Sequence, residues 1–480
     1  MAALIHRTRT FLWTAAVLGV VWMGLSMTAG AAEKRVPETA AEIHLSYAPL
    51  VKRAGPAVVN IYTRKVIRTR SSPLFSDPFF RRFFGNEFGL DLEGQTRERI
   101  QNSLGSGVLV DEGGLVVTNN HVIEGADEIR VVLADRREFN AKTVGTDERT
   151  DLAVLQLQDV PDKMPFLEFR DSDEVEVGDV VLAIGNPFGV GQTVTSGIVS
   201  AVGRTQVNVS DLQAFIQTDA AINPGNSGGA LITTDGKLIG VNTAIFSQSG
   251  GSQGIGFAIP SNMVRAVISG ITKVGRPVRP WLGADGQTIT AEVASALGMK
   301  SPTGVLVNVI HKGSPAARAG LAVGDVILAV KDQNVDDVQA LRFRLATLPL
   351  DGTVDLRILR KNQVRSVAIP LEVPPETPPR EITELEGATP LSGAVVASLS
   401  PALADELGLD GFQPGVIVLN VRRGSPANRL RFQIGDMVLA VNNRDVATVS
   451  QLKAALANGP AGWRFNVKRN GQVVQLAINR

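Results

Sequence analysis

The chain repeats itself, and this limits its architecture more than any other feature. His311-Lys312-Gly313-Ser314-Pro315-Ala316, then Gly320, then Gly324-Asp325-Val326-Ile327-Leu328-Ala329-Val330, returns as Gly424-Ser425-Pro426-Ala427 and Gly435-Asp436-Met437-Val438-Leu439-Ala440-Val441. A supersecondary pattern copied once at so wide a separation means two homologous domains, not a short-period solenoid. Between the copies, Pro374-Pro375-Glu376-Thr377-Pro378-Pro379 reads as a stiff, extended linker. We therefore expect domains at 280–373 and 387–480 joined by a linker at 374–386. At 480 residues the chain exceeds what one hydrophobic core organises, and the rest must fold separately.

That remainder centres on Asn223-Pro224-Gly225-Asn226-Ser227-Gly228-Gly229-Ala230, a serine among glycines just ahead of the apolar Leu231-Ile232. A serine hydroxyl becomes a useful nucleophile only where a base takes its proton and backbone N–H groups hold the oxyanion it creates. The same composition also suits an ordinary surface turn. What separates the two readings is a histidine and a carboxylate in matching contexts.

Only four histidines exist: His6, His44, His121 and His311. His121 lies in Thr118-Asn119-Asn120-His121-Val122, directly after the strand-like Gly114-Leu115-Val116-Val117, where a strand runs into a turn or short helix. Asp151 opens the apolar run Asp151-Leu152-Ala153-Val154-Leu155. The order His, Asp, Ser on β-rich text is that of the chymotrypsin-like solution to the catalytic triad. Together these motifs closely resemble the bacterial HtrA (Deg, Do) family of serine proteases, from about Gly55 to the C-terminus.

The resemblance implies that Ser227 attacks the peptide carbonyl, His121 shuttles the proton, Asp151 orients the imidazole, and the N–H groups of Gly225 and Ser227 form the oxyanion hole. The stretch around 251–259 is similar to the wall of the first specificity pocket. Ile222 and Ile255 would make that pocket small and apolar, selecting Val, Ala or Ile; alternatively both are plain core. The fold class expected is mainly β: a chymotrypsin-like double β-barrel protease domain at 55–275, then two PDZ-like α+β domains. Short runs at 57–63, 105–110, 115–117, 128–133, 142–144 and 151–157 supply the first barrel. Those at 180–185, 194–202, 214–217, 229–232, 237–242 and 255–259 supply the second.

The C-terminal copies resemble PDZ domains of the bacterial protease type, which bind an extended chain end by strand addition. Trp281-Leu282-Gly283-Ala284 matches the carboxylate loop of the first, and Leu391-Ser392-Gly393-Ala394 that of the second. The second copy carries Arg431 where the first has Gly320, a helix C-cap position that suits glycine, which puts equivalent peptide binding in doubt.

Composition narrows the partners. A formal net charge of +1 offers no basic stripe for nucleic acid. With no cysteine there is no disulfide, thiol catalysis or cysteine-ligated metal, and the scattered histidines fit no ligand motif, so neither metal nor cofactor is expected. Gly236-Lys237 is followed by Leu238, so no P-loop points to ATP. Gly254-Ile255-Gly256 and Gly189-Val190-Gly191 make no dinucleotide fingerprint. His311 reads as a surface or satisfied histidine.

Arg7 and Arg9, an uncharged run with Phe11, Leu12, Trp13, Val17, Leu18, Val20 and Val21, and Ala29-Gly30-Ala31 form a secretory signal peptide at 1–31. This places the mature chain in the periplasm; the rival reading is an uncleaved inner-membrane anchor with peripheral membrane contact. A mobile mature N-terminus is expected at 32–54. An insertion at 65–100 holds Phe75, Phe79, Phe80, Phe83, Phe84 and Phe88 on adjoining helical faces. It is either a helix packed on its own barrel or, as the resemblance implies, a loop reaching a neighbouring subunit's active site. The resemblance further implies homotrimers or larger assemblies acting without ATP on unfolded or misfolded envelope proteins and their exposed C-termini. A chaperone with a silent triad and a PDZ scaffold are the alternatives.

Overall fold

The structure, a computed structural model, describes residues 46–67, 99–161, 163–186, 191–204, 214–223, 225–245, 252–409, 412–457 and 462–479. The expected leader and the six phenylalanines of the insertion lie outside these residues. The part expected to be mobile at 32–54 ends instead in a helix, Ala48–Ala54, because Leu50 and Ala54 bury their side chains.

Strands β1 (Val58–Ile67), β2 (Arg99–Leu109), β3 (Leu115–Thr118), β4 (Glu128–Val132), β5 (Glu138–Asp147) and β6 (Leu152–Leu157) close an antiparallel barrel in the order β1-β2-β3-β6-β5-β4. The pairing of Ile67 with Arg99 and Lys65 with Gln101 turns both ends of the expected insertion into strand. Strands β7 (Val180–Gly185), β8 (Thr193–Arg204), β9 (Phe215–Thr218), β10 (Ala230–Thr233), β11 (Leu238–Ile245) and β12 (Gly256–Pro260) close a second barrel in the order β10-β11-β12-β9-β8-β7. The chymotrypsin-like double barrel is therefore present.

The strands that carry the candidate site read as unbroken apolar runs for a physical reason. Side chains alternate sides along a strand. On β3, Val116 enters the core of the first barrel while Leu115 and Val117 enter a second cluster; on β6, Ala153 and Leu155 face the first and Leu152 and Val154 the second. Buried on both faces, β3 and β6 hold their ends rigidly. The second cluster is completed by a helix that sequence reading passed over, Ser261–Val274, through Met263, Val264, Val267 and Ile271. This helix stops at Gly275, left-handed at φ 80°, whose N–H closes onto the Ile271 carbonyl.

The first PDZ sheet contains β13 (Ala284–Thr288), β14 (Val305–Ile310), β15 (Val326–Val330), β16 (Gln333–Asn334), β17 (Thr353–Arg360) and β18 (Gln363–Pro370). The second contains β19 (Thr383–Glu384), β20 (Ala394–Ser398), β21 (Val416–Val421), β22 (Met437–Val441), β23 (Arg444–Asp445), β24 (Gly462–Arg469) and β25 (Gln472–Asn479). The repeated motif has the same mechanics in both. Ser314 and Ser425 cap one-turn helices that start at Pro315 and Pro426, accepting from the N–H groups of Ala317 and Asn428. The buried Asp325 and Asp436 each take a two-toothed Arg clamp, from Arg360 and Arg469, with all four contacts at 2.6 Å. Arg431 does adopt the left-handed backbone of Gly320, at φ 62° against 79°. The linker gives way earlier than expected, since β19 lies inside 374–386 and joins the second sheet.

Candidate active site

The buried β3 delivers Thr118 and Asn119 to a one-turn helix, Asn120–Ile123, anchored by the buried Val122 and Ile123. Asp151 stands at the start of β6 with a left-handed backbone, φ 56°, a strained geometry that Asp tolerates and that recurs at functional sites. Its own carbonyl fixes the histidine turn, accepting from the Asn120 N–H at 3.1 Å and from Asn119 Nδ2 at 3.0 Å. His121 Nδ1 lies 2.8 Å from Asp151 Oδ2, and the His121 N–H donates to Oδ1 at 3.0 Å. The structure thus brings His121 and Asp151 together, in a half-buried pair.

Thr243, on β11 of the second barrel, ties Ser227 into this pair. Its hydroxyl donates to Asp151 Oδ2 at 2.7 Å, and its carbonyl accepts the Ser227 hydroxyl at 3.2 Å. The serine proton is therefore held by Thr243. Sequence reading missed Thr243, since a threonine inside a strand carries no signal.

The glycines beside Ser227 do identifiable work. Gly225 sits at φ 97° and Gly228 at φ 81°. A Cβ on Gly228 would come within 2.1 Å of the Ser106 carbonyl and 2.4 Å of Thr118 Oγ1. Ser106, fully buried on β2, brackets the loop: its N–H donates to the Ser227 carbonyl at 2.9 Å and its hydroxyl to the Gly225 carbonyl at 2.6 Å. The N–H groups of Asn226, Gly228 and Gly229 donate to Asn223, Asn242 and Asn226. Among the described residues, no acceptor is paired with the N–H of Gly225 or Ser227.

Residues 105–241 match the trypsin-like peptidase domain family, and residues 280–371 and 392–479 match the PDZ domain family. The chain is 36% identical over 484 residues to the periplasmic serine endoprotease DegP of Salmonella typhimurium, covering 96% of this chain and 97% of that protein. It is 39% identical over 438 residues to the periplasmic pH-dependent serine endoprotease DegQ of Escherichia coli, covering 90% and 91%. The chain belongs to the HtrA family of serine endoproteases. A solved HtrA-type protease, AlgW with decapeptide, aligns with a TM-score of 0.50 and 46% identity over 69% of this chain and 99% of its own.

Within this HtrA enzyme the loop leading to Asp151 is clamped by charge. The buried Arg279 reaches Asp147 at 2.5 Å and Asp405 of the second PDZ domain at 4.0 Å, while Arg149 reaches the same Asp405 at 3.0 Å. Burial, and then the neighbouring Arg279, holds the Arg149 guanidinium below its usual range. Phe343 and Ala346, on the first PDZ helix Val338–Ala346, enter the same apolar cluster as Leu152 and Val154. Both PDZ domains therefore bear on the segment that positions Asp151. Ile222 is fully buried in the core of the second barrel, whereas Ile255, half-buried, packs against the cluster containing Phe215 and Phe257. In the PDZ loops, Leu282, Gly283 and Ala284 lead into β13, and Ser392, Gly393 and Ala394 lead into β20. His311 is satisfied, with Nε2 2.8 Å from Asp285 and its ring stacked on Trp281.

Proposed function

We propose that this HtrA protease is exported to the periplasm and cleaves unfolded or damaged polypeptides there, without ATP, through His121, Asp151 and Ser227. The observation that carries the reading is the hydrogen-bonded His121–Asp151 pair with Ser227 joined to it through Thr243. For reaction the Ser227 hydroxyl leaves the Thr243 carbonyl and turns its proton toward His121. Ser227 Oγ then bonds to the substrate carbonyl carbon as His121 Nε2 takes the proton, and the carbonyl oxygen becomes an oxyanion facing the N–H groups of Gly225 and Ser227. The C–N bond breaks as His121 returns the proton to the leaving amine. Water, deprotonated by His121, then hydrolyses the acyl-serine ester and regenerates the enzyme.

Asp151 keeps Nδ1 protonated and its partner nitrogen free to accept, and it stabilises the imidazolium that forms. Of the two isoleucines, the half-buried Ile255 biases the first pocket toward small aliphatic side chains, while the fully buried Ile222 serves as barrel core. The first PDZ domain captures substrate C-termini on Leu282, Gly283 and Ala284, and the enzyme works as a homotrimer or larger assembly, as its family does. The test compares wild type with Ser227→Ala on β-casein in the absence of ATP, with products mapped by mass spectrometry. Cleavage by wild type alone supports the reading. An inert wild type, even with C-terminal peptides added, favours the chaperone alternative.

A further inference from the structure

The two PDZ domains share a loop and a strand but not a groove. In the first, among the described residues, β13 pairs only with β14 and forms the edge of its sheet. Gly283 has a left-handed backbone at φ 69°, and among the described residues no acceptor is paired with the N–H of Leu282 or Gly283. A free strand edge beside open N–H groups is what an extended peptide with a terminal carboxylate needs.

In the second domain the same edge is taken. Strand β19 pairs antiparallel with β20, Thr383 opposite Val396 and Glu384 opposite Val395. The pairing extends past β19 at both ends: the Leu385 N–H donates to the Ala394 carbonyl at 2.8 Å, and the Ser398 N–H to the Arg380 carbonyl at 2.7 Å. The Gly393 N–H, which would meet a carboxylate, donates to the Leu385 carbonyl at 2.7 Å. Its neighbours are also occupied, Ser392 on the Thr389 carbonyl and Ala394 on the Leu391 carbonyl.

The segment bears on the opposite wall as well. Leu385 is buried in the apolar cluster that contains Val396, Val449 and Leu452, and Glu381 accepts from the Ser450 hydroxyl at 3.2 Å on the helix Val449–Ala457. Arg380 is pinned by Glu376 and Glu406, at 2.5 and 2.7 Å.

We propose that residues 380–385 of the chain's own linker permanently fill the peptide groove of the second PDZ domain, so that each subunit captures a single C-terminus, through the first. The capture by the first domain rests on the function proposed above; the filled groove does not. A segment tethered a few residues from its groove acts at an effective concentration on the order of millimolar or higher, which a dilute free peptide does not displace.

The test uses full-length Ser227→Ala protein and a ten-residue peptide ending in valine with a free carboxylate, its amidated form serving as control. Hydrogen exchange is followed by mass spectrometry, and stoichiometry by calorimetry. Without peptide, the amides of 394–398 are expected to exchange about tenfold more slowly than the outward-facing amides of 284–288, or slower still. Saturating peptide should then protect 284–288 alone, at one peptide per chain. Two peptides per chain, or fast exchange at 394–398 that slows on peptide addition, overturns the proposal. Protection at 394–398 with no peptide bound anywhere keeps the filled groove and overturns capture by the first domain.

Discussion

Replacing Thr243 by valine isolates the link between the two barrels. The change keeps the carbonyl that holds Ser227 and the branched shape that fits a site only 7% exposed, and it deletes one donor. Asp151 Oδ2 then loses the 2.7 Å contact and keeps only His121 Nδ1. A hydrogen bond to a charged group contributes about 1.5–3 kcal/mol, equivalent to a roughly 10- to 150-fold fall in kcat/KM. Because the Asp151 side chain is 20% exposed, water replaces part of the contact and the expectation lies near the lower end. Thr243→Ser, which restores the hydroxyl, should recover most of the activity on a fluorogenic peptide. If a folded Thr243→Val enzyme keeps kcat/KM within about twofold of wild type, Thr243 does not act through Asp151.

Three further substitutions probe the glycine loop and the two PDZ domains. Gly228→Ala forces a left-handed backbone and an overlap with the Ser106 carbonyl, so it should cost about 2–5 kcal/mol of protease-domain stability, read as a lowered Tm together with lost cleavage. For Asp325, burial raises the carboxyl pKa, but the Arg360 and Ala322 hydrogen bonds outweigh it and hold the group below its usual range. Its stabilisation is therefore present above about pH 4 and lost as pH falls further; Asp325→Asn should flatten acid unfolding of the first PDZ domain below pH 4 and lower stability at pH 7 by about 3 kcal/mol. Arg431→Gly relieves a left-handed residue without touching the carbonyl that Arg469 binds, and should raise the stability of the second PDZ domain by about 0.5–1 kcal/mol in denaturant titration.

Much of the candidate site is legible in the sequence because its chemistry is local. His121 needs the end of β3, Asp151 the start of β6, and Ser227 its glycines, and each need leaves a short signature. The repeat exposes both PDZ domains for the same reason, since capping serines, glycines and clamped aspartates sit at fixed offsets. Contacts formed only by folding leave no such trace. Thr243 and Ser106 act across the barrel interface, Arg279 meets Asp147 from a distant segment, and nothing near them in sequence marks the meeting. Strand β5 is read short, as 142–144, for another reason: only Asp147 of its ten residues is buried, so no apolar face marks its length. The proline-rich linker shows why stiffness alone does not define a boundary, because its second half supplies backbone to a sheet edge and a leucine to a core.

If His121 activates Ser227 as the nucleophile, a fluorophosphonate probe will label that serine. The wild-type protein is incubated with the probe in the presence of unfolded casein, and the adduct is located by mass spectrometry. One adduct per chain is expected, on Ser227, absent from a folded His121→Ala variant and accompanied by loss of casein cleavage. Casein cleavage that continues with Ser227 unmodified, or labelling of Ser227 that persists without His121, rules out a serine activated by that histidine.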